Sequence, residues 1–437
     1  MKKDRREFIL GAAAAGGFFY SQACAAAPQI VSPEQFGAVG DGLRDDTAAL
    51  QLCLDRAPAG ALVRLRRGAV YMVDTNARPT WARFGGLKLR SGQSLELNGA
   101  ELRAIPAGEG QGAVVQAYRQ SNWRIKGPGK ITGERSRHRG TAGEWGMGIA
   151  AFASNNWSID SGVEVTNCWG DGIYVGAAGP GTFCESFTIN GVRISNCRRN
   201  GISIVAGRNG RIRTADISDI NGIAPKGGID LEPDNKAHPN RSIEINGARI
   251  HGDLEVGIYT TVANENVVIS DVDIEANNSG IIVGDSTRGL RIINSRIASR
   301  VGGAEGAAIR AVGNPATMRG VEIRNNQLTG GGYFVVDFWG DGYRDLVVDS
   351  NNIRASNRGV QGIARVHYGS FTNNVCVIDR NAGKESDYFV HLQVTSHGGN
   401  AYRNLSPHKM FSALRGARDL GGDRYESPSL TRRSEGL

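Results

Sequence analysis

The chain has 437 residues and a formal charge of +8, with 40% hydrophobic, 22% charged and 7% aromatic residues. That apolar share is too high for a disordered chain, and no apolar run reaches the ~18 to 20 residues of a membrane-spanning helix. The 61 glycines, set against 13 prolines and without a collagen-like period, exclude a triple helix and favour turn-rich β structure over helical bundles.

In chain order, the first element is a leader. Asp4-Arg5-Arg6-Glu7 precedes the apolar run Gly11 to Phe19 and a small-residue zone, Gln22-Ala23-Cys24-Ala25-Ala26-Ala27. An Arg pair before an apolar stretch and such a cleavage zone predicts a twin-arginine signal over residues 1–27. The mature protein is then periplasmic or secreted, off the membrane, with a charge near +6 once four cations and two acids are removed. Ser21-Gln22-Ala23 is a poor lipobox, which argues against a lipid anchor at Cys24. Five cysteines remain: Cys53, Cys168, Cys184, Cys197 and Cys376. Odd in number, sparse and without CxxC spacing, they predict reduced core thiols and no structural metal.

The next segment, Gln35 to Gln51, predicts a strand, a Gly-rich turn and a helix over about residues 46 to 57. Asp45 and Asp46 read as helix-capping groups, with Ala48, Leu50, Leu52 and Leu54 available for packing. Such a helix would plug the open end of a solenoid, which otherwise exposes core and strand edges.

From residue 145 to 340 one phrase recurs, a Gly followed by Ile and alternating residues. It stands at Gly148-Ile149, Gly172-Ile173, Gly201-Ile202, Gly228-Ile229, Gly257-Ile258 and Gly280-Ile281, with a degenerate copy at Ala308-Ile309. The spacings are 24, 29, 27, 29, 23 and 28 residues. A second phrase of the type Val163-x-Val165-x-Asn167 or Val192-x-Ile194-x-Asn196 accompanies it. Short alternating strands at this period, with no amphipathic helix between them, predict an all-β, single-stranded parallel β-helix (solenoid) with an N-terminal capping helix. Asn167 and Asn196, like Cys168 and Cys197, lie 29 residues apart and predict stacked ladders at one corner. The β-helix is expected over residues 28–404. Residues 405–437 read as a polar tail, with a short helix over Lys409 to Leu420.

The segment Phe36 to Gln51 resembles the opening of the pectate-lyase-like superfamily of right-handed parallel β-helix proteins, which includes relatives of glycoside hydrolase family 28, the polygalacturonases. The repeats extend the resemblance over about residues 33 to 380, and Gly143 to Ile149 and Trp169 to Tyr174 look like phrases from the same group. The resemblance implies a right-handed coil and carbohydrate-active chemistry on the outside of the β-helix.

Residues at i and i+2 of a strand share a face. With the Ile of each phrase inward, Tyr174, Ser203, Asp230, Glu232, Tyr259 and Arg310 face outward, and Asp171, Arg199, Asn200 and Lys226 stand just ahead of the glycines. The candidate catalytic acids are Asp171, Asp230, Glu232 and Asp234. Pro233 ends the strand and leaves the register of Asp234 open. Candidate substrate-binding residues are Glu144, Trp145, Trp169, Tyr174, Arg199, Asn200, Lys226, Tyr259 and Arg310. Crowded carboxylates repel, so one pKa should rise, as a glycosidic general acid requires. His251-Gly252-Asp253 and Trp339-Gly340-Asp341-Gly342-Tyr343 read as turns, and His138 as part of a solvated basic loop.

Three functions fit. The first is a glycoside hydrolase with Glu232 or Asp230 as acid, and Asp171 and the other as base. The family 28 motifs Asn-Thr-Asp, the adjacent Asp pair, Gly-His-Gly and Arg-Ile-Lys are not found in order, so that family's catalytic residues do not transfer. The second is a lyase or uronate epimerase, in which the acids hold Ca²⁺ and Arg199, Lys226 or Tyr174 abstracts the C5 proton. The third is a non-catalytic glycan-binding β-helix. Net positive charge suits an acidic polysaccharide; dispersed basic residues disfavour nucleic acid. A monomer or homotrimer with no obligatory cofactor is expected.

Overall fold

The computed structural model describes residues 28–433 apart from short stretches, of which 77–84, 301–305, 357–361 and 383–387 are the longest. The expected leader, 1–27, lies outside the described residues. Three long parallel sheets run the length of the molecule. Among the described residues the first has 16 strands, from Ile30–Val31 to Arg418–Asp419; the second has 15, from Asp41–Asp45 to Arg424–Tyr425; the third has 14, from Gly85–Lys88 to Leu430–Arg433. After a first coil that places only Ile30–Val31 and Asp41–Asp45 before the N-terminal helix, the chain visits them in that order and each coil adds one rung to each sheet, with Asn264–Glu265 an extra strand beside the first sheet. This is a parallel β-helix.

The repeat glycines explain themselves. Ile149, Ile173, Ile202, Ile229, Ile258, Ile281 and Ile309 pair in register and form one fully buried column. The Gly before each of the first six lies under the side chain of a second-sheet strand, and Ala308 takes its place before Ile309. A Cβ on Gly172 would sit 2.6 Å from Ile194 Cγ2, and one on Gly228 2.4 Å from Ile250 Cγ2. Gly thus lets the third sheet turn tightly over the core of the second. Trp123, Trp157 and Phe187 stack face to face on successive rungs at 4.7 and 4.8 Å, and the stack stops at Gly210, where a Cβ would meet the Phe187 ring at 2.1 Å.

The predicted corner ladder is present. Asn167 and Asn196 both take left-handed backbone (φ 59° and 53°), and Asn196 Nδ2 donates to Asn167 Oδ1 at 3.2 Å. Cys53, Cys168, Cys184, Cys197 and Cys376 are all buried and free. A second, fully buried ladder runs Asn326, Asn351, Asn374, Asn400. Each amide donates to the next Asn Oδ1 (3.0, 3.1 and 3.3 Å) and to a backbone carbonyl, and Asp423 closes the series at 3.0 Å.

The N-terminal helix spans Thr47–Arg56 and buries Leu50, Cys53 and Leu54 on the first coil, whereas Leu52 is exposed. Its capping differs from expectation. Asp45 Oδ1 accepts from Thr47 N at 2.9 Å, but Asp46 makes no cap bond and instead accepts from Val39 N (2.6 Å) and Gly40 N (3.1 Å). Burial of Asp46 under the glycine turn serves that turn rather than the helix. The helix expected over 409–420 is also absent among the described residues. Strands Met410–Leu414 and Arg418–Asp419 continue the sheets there, followed by Arg424–Tyr425 and Leu430–Arg433. Their short apolar alternation is continued by lateral pairing to the preceding coil, which local sequence does not display.

Candidate active site

Asp171 stands at the corner where the second sheet hands over to the third, between two glycines. A Cβ on Gly170 would lie 2.5 Å from the Glu144 carbonyl, so the glycine admits the 144–145 loop against the coil. The Asp171 side chain is only 2% exposed. Its Oδ1 accepts from Asn200 N at 3.1 Å and its Oδ2 from Arg199 Nη1 at 3.2 Å. Burial pushes this carboxyl up to about 6, against the opposing pull of Arg199, Ser203 and the Asn200 backbone.

On the next rungs, Asn200 fixes the polar floor. Its Nδ2 donates to Ser203 Oγ (3.0 Å) and to Asp230 Oδ2 (3.2 Å), and its Oδ1 accepts from Gly227 N (3.0 Å). Asp230 is fully buried, and its other oxygen has no hydrogen-bond partner. Burial, then the neighbouring Glu232 charge, raises its pKa well above the carboxylate range. Above this floor Arg199 reaches three acids: Asp171, Glu144 Oε2 at 3.4 Å from Nε, and Glu232 Oε2 at 3.5 Å from Nη2. Burial opposes the guanidinium charge, but Asp171, Asp230, Glu144 and Glu232 together outweigh it and hold Arg199 cationic.

These groups line a cleft of about 420 Å³ with Trp145, Tyr174 and Asp234. An adjoining hollow of about 230 Å³ shares those three residues and adds Tyr118 and Phe152. Trp145 meets Tyr174 edge-on at 6.1 Å and 66°. The Tyr174 ring folds over Gly176, where a Cβ would sit 2.4 Å from it, and burial drives its phenol well above the usual range. A larger hollow of about 540 Å³ runs beside Gly68, Gly99, Gly129 and Gly162, but its charged side chains are spent on one another, as in Lys130–Glu164 and Arg193–Glu164. The acidic cleft is the chemically organised one.

Of the residues singled out in the sequence, Asp171, Glu232, Asp234, Glu144, Trp145, Tyr174 and Arg199 line this cleft. Asp230 and Asn200 lie beneath it, buried, and shape it without facing it. The other four fall away. Trp169 packs against the His138 ring at 3.7 Å and the Arg198 guanidinium at 3.9 Å, so its faces serve the 138–146 wall. Lys226 pairs with Glu255 at 3.5 Å. Tyr259 and Arg310 lie further along the sheet, one and three rungs beyond Asp230. His138, expected in a solvated basic loop, has a side chain only 2% exposed and bonded to Glu134 at 2.7 Å. His251, expected in a turn, ends a second-sheet strand and bonds Asp216 at 2.9 Å, away from the cleft; the turn begins at Gly252. Tyr118 and Phe152 were missed. Phe152 pairs in register with both Tyr118 and Gly176, so extending the outward columns upstream of Gly172 would have found them.

The family model "Right handed beta helix region" matches residues 124–297, which contain the whole acidic cluster. No curated protein matches the sequence. Among solved structures, the A-module of Azotobacter vinelandii mannuronan C-5 epimerase AlgE6 aligns with TM-score 0.61 at 14% identity, covering 89% of this chain and 99% of that one. The AlgE4 A-module aligns with TM-score 0.57 at 14% identity, over 92% of this chain and 100% of that one. The tailspike protein of E. coli bacteriophage HK620, in complex with pentasaccharide, gives TM-score 0.57 at 12% identity, over 89% and 70%. Fold and matches together define a right-handed parallel β-helix protein. At such identities the likeness is one of fold, and the resemblance to the polygalacturonases stays at that level.

Proposed function

We propose that this chain is an extracytoplasmic, polysaccharide-cleaving glycoside hydrolase working on the outer face of its β-helix. The observation that carries the reading is the pairing of a buried carboxyl near pKa 6, Asp171, with the half-exposed Glu232 on one guanidinium. Two carboxyls in environments that push their proton affinities apart are what acid–base glycoside cleavage requires. Asp171 donates the proton to the leaving oxygen, and Glu232 activates water. Arg199 holds both in place, while Trp145 and Tyr174 offer faces to a pyranose ring. Asp230, kept neutral and out of contact, supports the floor through Asn200. The fold likeness to an oligosaccharide-bound tailspike and to a mannuronan epimerase supports a carbohydrate ligand.

Net charge had suggested an acidic polymer. The cleft itself gathers Glu144, Asp171, Glu232 and Asp234 around a single guanidinium, and so favours an uncharged ring at the point of cleavage. For the same reason the donor set does not fit a calcium ion, because Arg199 occupies the centre where the cation would sit. Elimination or C5 epimerisation would also need a free cation to neutralise the uronate, and Arg199 already carries three carboxylates. The twin-arginine leader supports export of the folded chain to the periplasm or beyond.

The test incubates the purified protein with neutral and uronate-rich polysaccharides, with and without chelator, following reducing ends and ultraviolet-absorbing unsaturated products. Reducing ends that survive chelator and vanish in Glu232→Gln support hydrolysis. Unsaturated product that chelator abolishes overturns it in favour of a lyase. Binding without any turnover leaves a glycan-binding β-helix.

A further inference from the structure

The outward column of the third sheet continues past the cleft. In register it reads Tyr174, Ser203, Asp230, Tyr259, Ile282, Arg310, Asp337, Arg365, His391. Trp339 and His367 stand two residues past Asp337 and Arg365, as Glu232 stands two past Asp230. The same pair of columns that carries the acids therefore carries a second polar–aromatic group, four rungs or roughly 19 Å along the sheet at ~4.8 Å per rung.

Its construction is unlike a casual surface. Trp339 is 52% exposed, a large indole left open on the sheet face. The Arg365 guanidinium lies 4.6 Å from its ring and is locked by a bidentate pair to Asp337 (2.7 and 2.6 Å). The His367 ring lies 4.4 Å from the indole, and His391 stands beside both, 5.4 Å from each. His367 is only 4% exposed, yet neither ring nitrogen has a partner in hydrogen-bonding geometry. Asp341 is 4.0 Å from Nδ1, and the nearby Gly340 backbone does not reach bonding geometry. Leaving buried polar atoms unmatched costs free energy unless a ligand or water completes them. Burial also pulls this imidazole's pKa down, which keeps it neutral with one donor and one acceptor nitrogen.

We propose that Trp339, Arg365, Asp337 and His367 form a second saccharide subsite, which binds an uncharged pyranose residue of the same polysaccharide that the cleft cuts. The ring stacks on Trp339, and its hydroxyls meet His367 and the Asp337–Arg365 pair. The bidentate pair commits Arg365 to Asp337, and Arg310 on the adjacent rung balances Asp341, so the patch carries no net charge that would call for an anionic ring. This rests on the hydrolase reading for the identity of the polymer, but the patch stands on its own contacts.

The experiment is affinity electrophoresis through gels containing dextran, mixed-linkage β-glucan, galactomannan, alginate or polygalacturonate, beside turnover assays on the same polymers. The proteins are the native chain, Trp339→Ala and the double variant Asp171→Asn/Glu232→Gln, with thermal melts confirming the fold of each. Retention by a neutral polymer that weakens about tenfold in Trp339→Ala, and persists in the double variant, is the expected result. Retention unchanged in Trp339→Ala, or no retention by any neutral polymer, overturns the subsite. Turnover with unchanged retention sinks the subsite and spares the hydrolase; Trp339-dependent retention without turnover does the reverse.

Discussion

Two of the stacks of buried polar side chains among the described residues differ in completeness. In the Asn326–Asn351–Asn374–Asn400 ladder every amide finds a donor and an acceptor, and Asp423 closes the end. In the stack at the cleft, Asp171 in its wall and Asn200, Ser203 and Asp230 behind it are just as buried, yet Asp230 keeps an oxygen without a partner and two of the members are acids. A satisfied ladder adds stability and uniqueness of register. An unsatisfied acidic one stores proton affinity at a cost in stability. Burial of polar groups alone does not mark a site, and neither does an unpartnered atom such as Trp123 Nε1 in the core; crowded acids left short of partners beside a cleft do.

The contrast breaks first at the acids. Asp171→Asn and Glu232→Gln should each lower kcat by about 10² to 10⁴ with a melting temperature near the native one, measured by reducing-end release and calorimetry. Equal losses of stability and activity would place both residues in the structural class. The converse change is Asn374→Ala, which strips partners from Asn351, Asn400 and the Val348 carbonyl. It should cost about 1–3 kcal/mol in denaturant unfolding while kcat stays native.

Asp230→Asn separates the two ideas at one position. The folded chain raises the proton affinity of Asp230 above its unfolded value, so its contribution is fully present at low pH and is lost as pH rises through the raised pKa. Asn does not ionise, and the variant should melt above the native protein by a margin that grows with pH. A margin independent of pH would mean that Asp230 is not held protonated. The same logic gives kcat/KM an alkaline limb near pH 6 from Asp171. Arg199→Gln, which removes a charge opposing that rise, should move the limb upward by about a pH unit. The smallest effect is expected at Trp145→Ala, with KM raised about tenfold and kcat nearly unchanged; Trp169→Ala should act on thermal stability of the 138–146 wall instead.

The coil period, the inward isoleucines and the acid cluster were legible because a solenoid repeats its chemistry at a fixed spacing. Gly172-Ile173 and Gly228-Ile229 declare the same tight corner, and alternation from that point places Glu232 and Tyr174 on one face. What alternation does not report is depth. Asp230 and Glu232 look equivalent in sequence, yet one is sealed under the other by its neighbours on adjacent rungs. Partners brought from afar were equally hidden: the guanidinium of Arg198 and the ring of His138 occupy Trp169, and nothing local announces them. The C-terminal strands escaped notice for a related reason, since polar segments such as Arg418–Asp419 become strands only by pairing with the coil before them.

The constant rung spacing turns the scaffold into a ruler. Any two outward groups on the third sheet are separated by a whole number of steps of ~4.8 Å, whatever the loops between them do. A change in loop length, such as the range of 23 to 29 residues seen between repeats, alters the corners and leaves the graduations untouched. Duplication or loss of one entire coil between Glu232 and Trp339 would shift their separation by a single graduation without disturbing either group. Evolution of this chain can therefore adjust reach in discrete increments while each group keeps its chemistry.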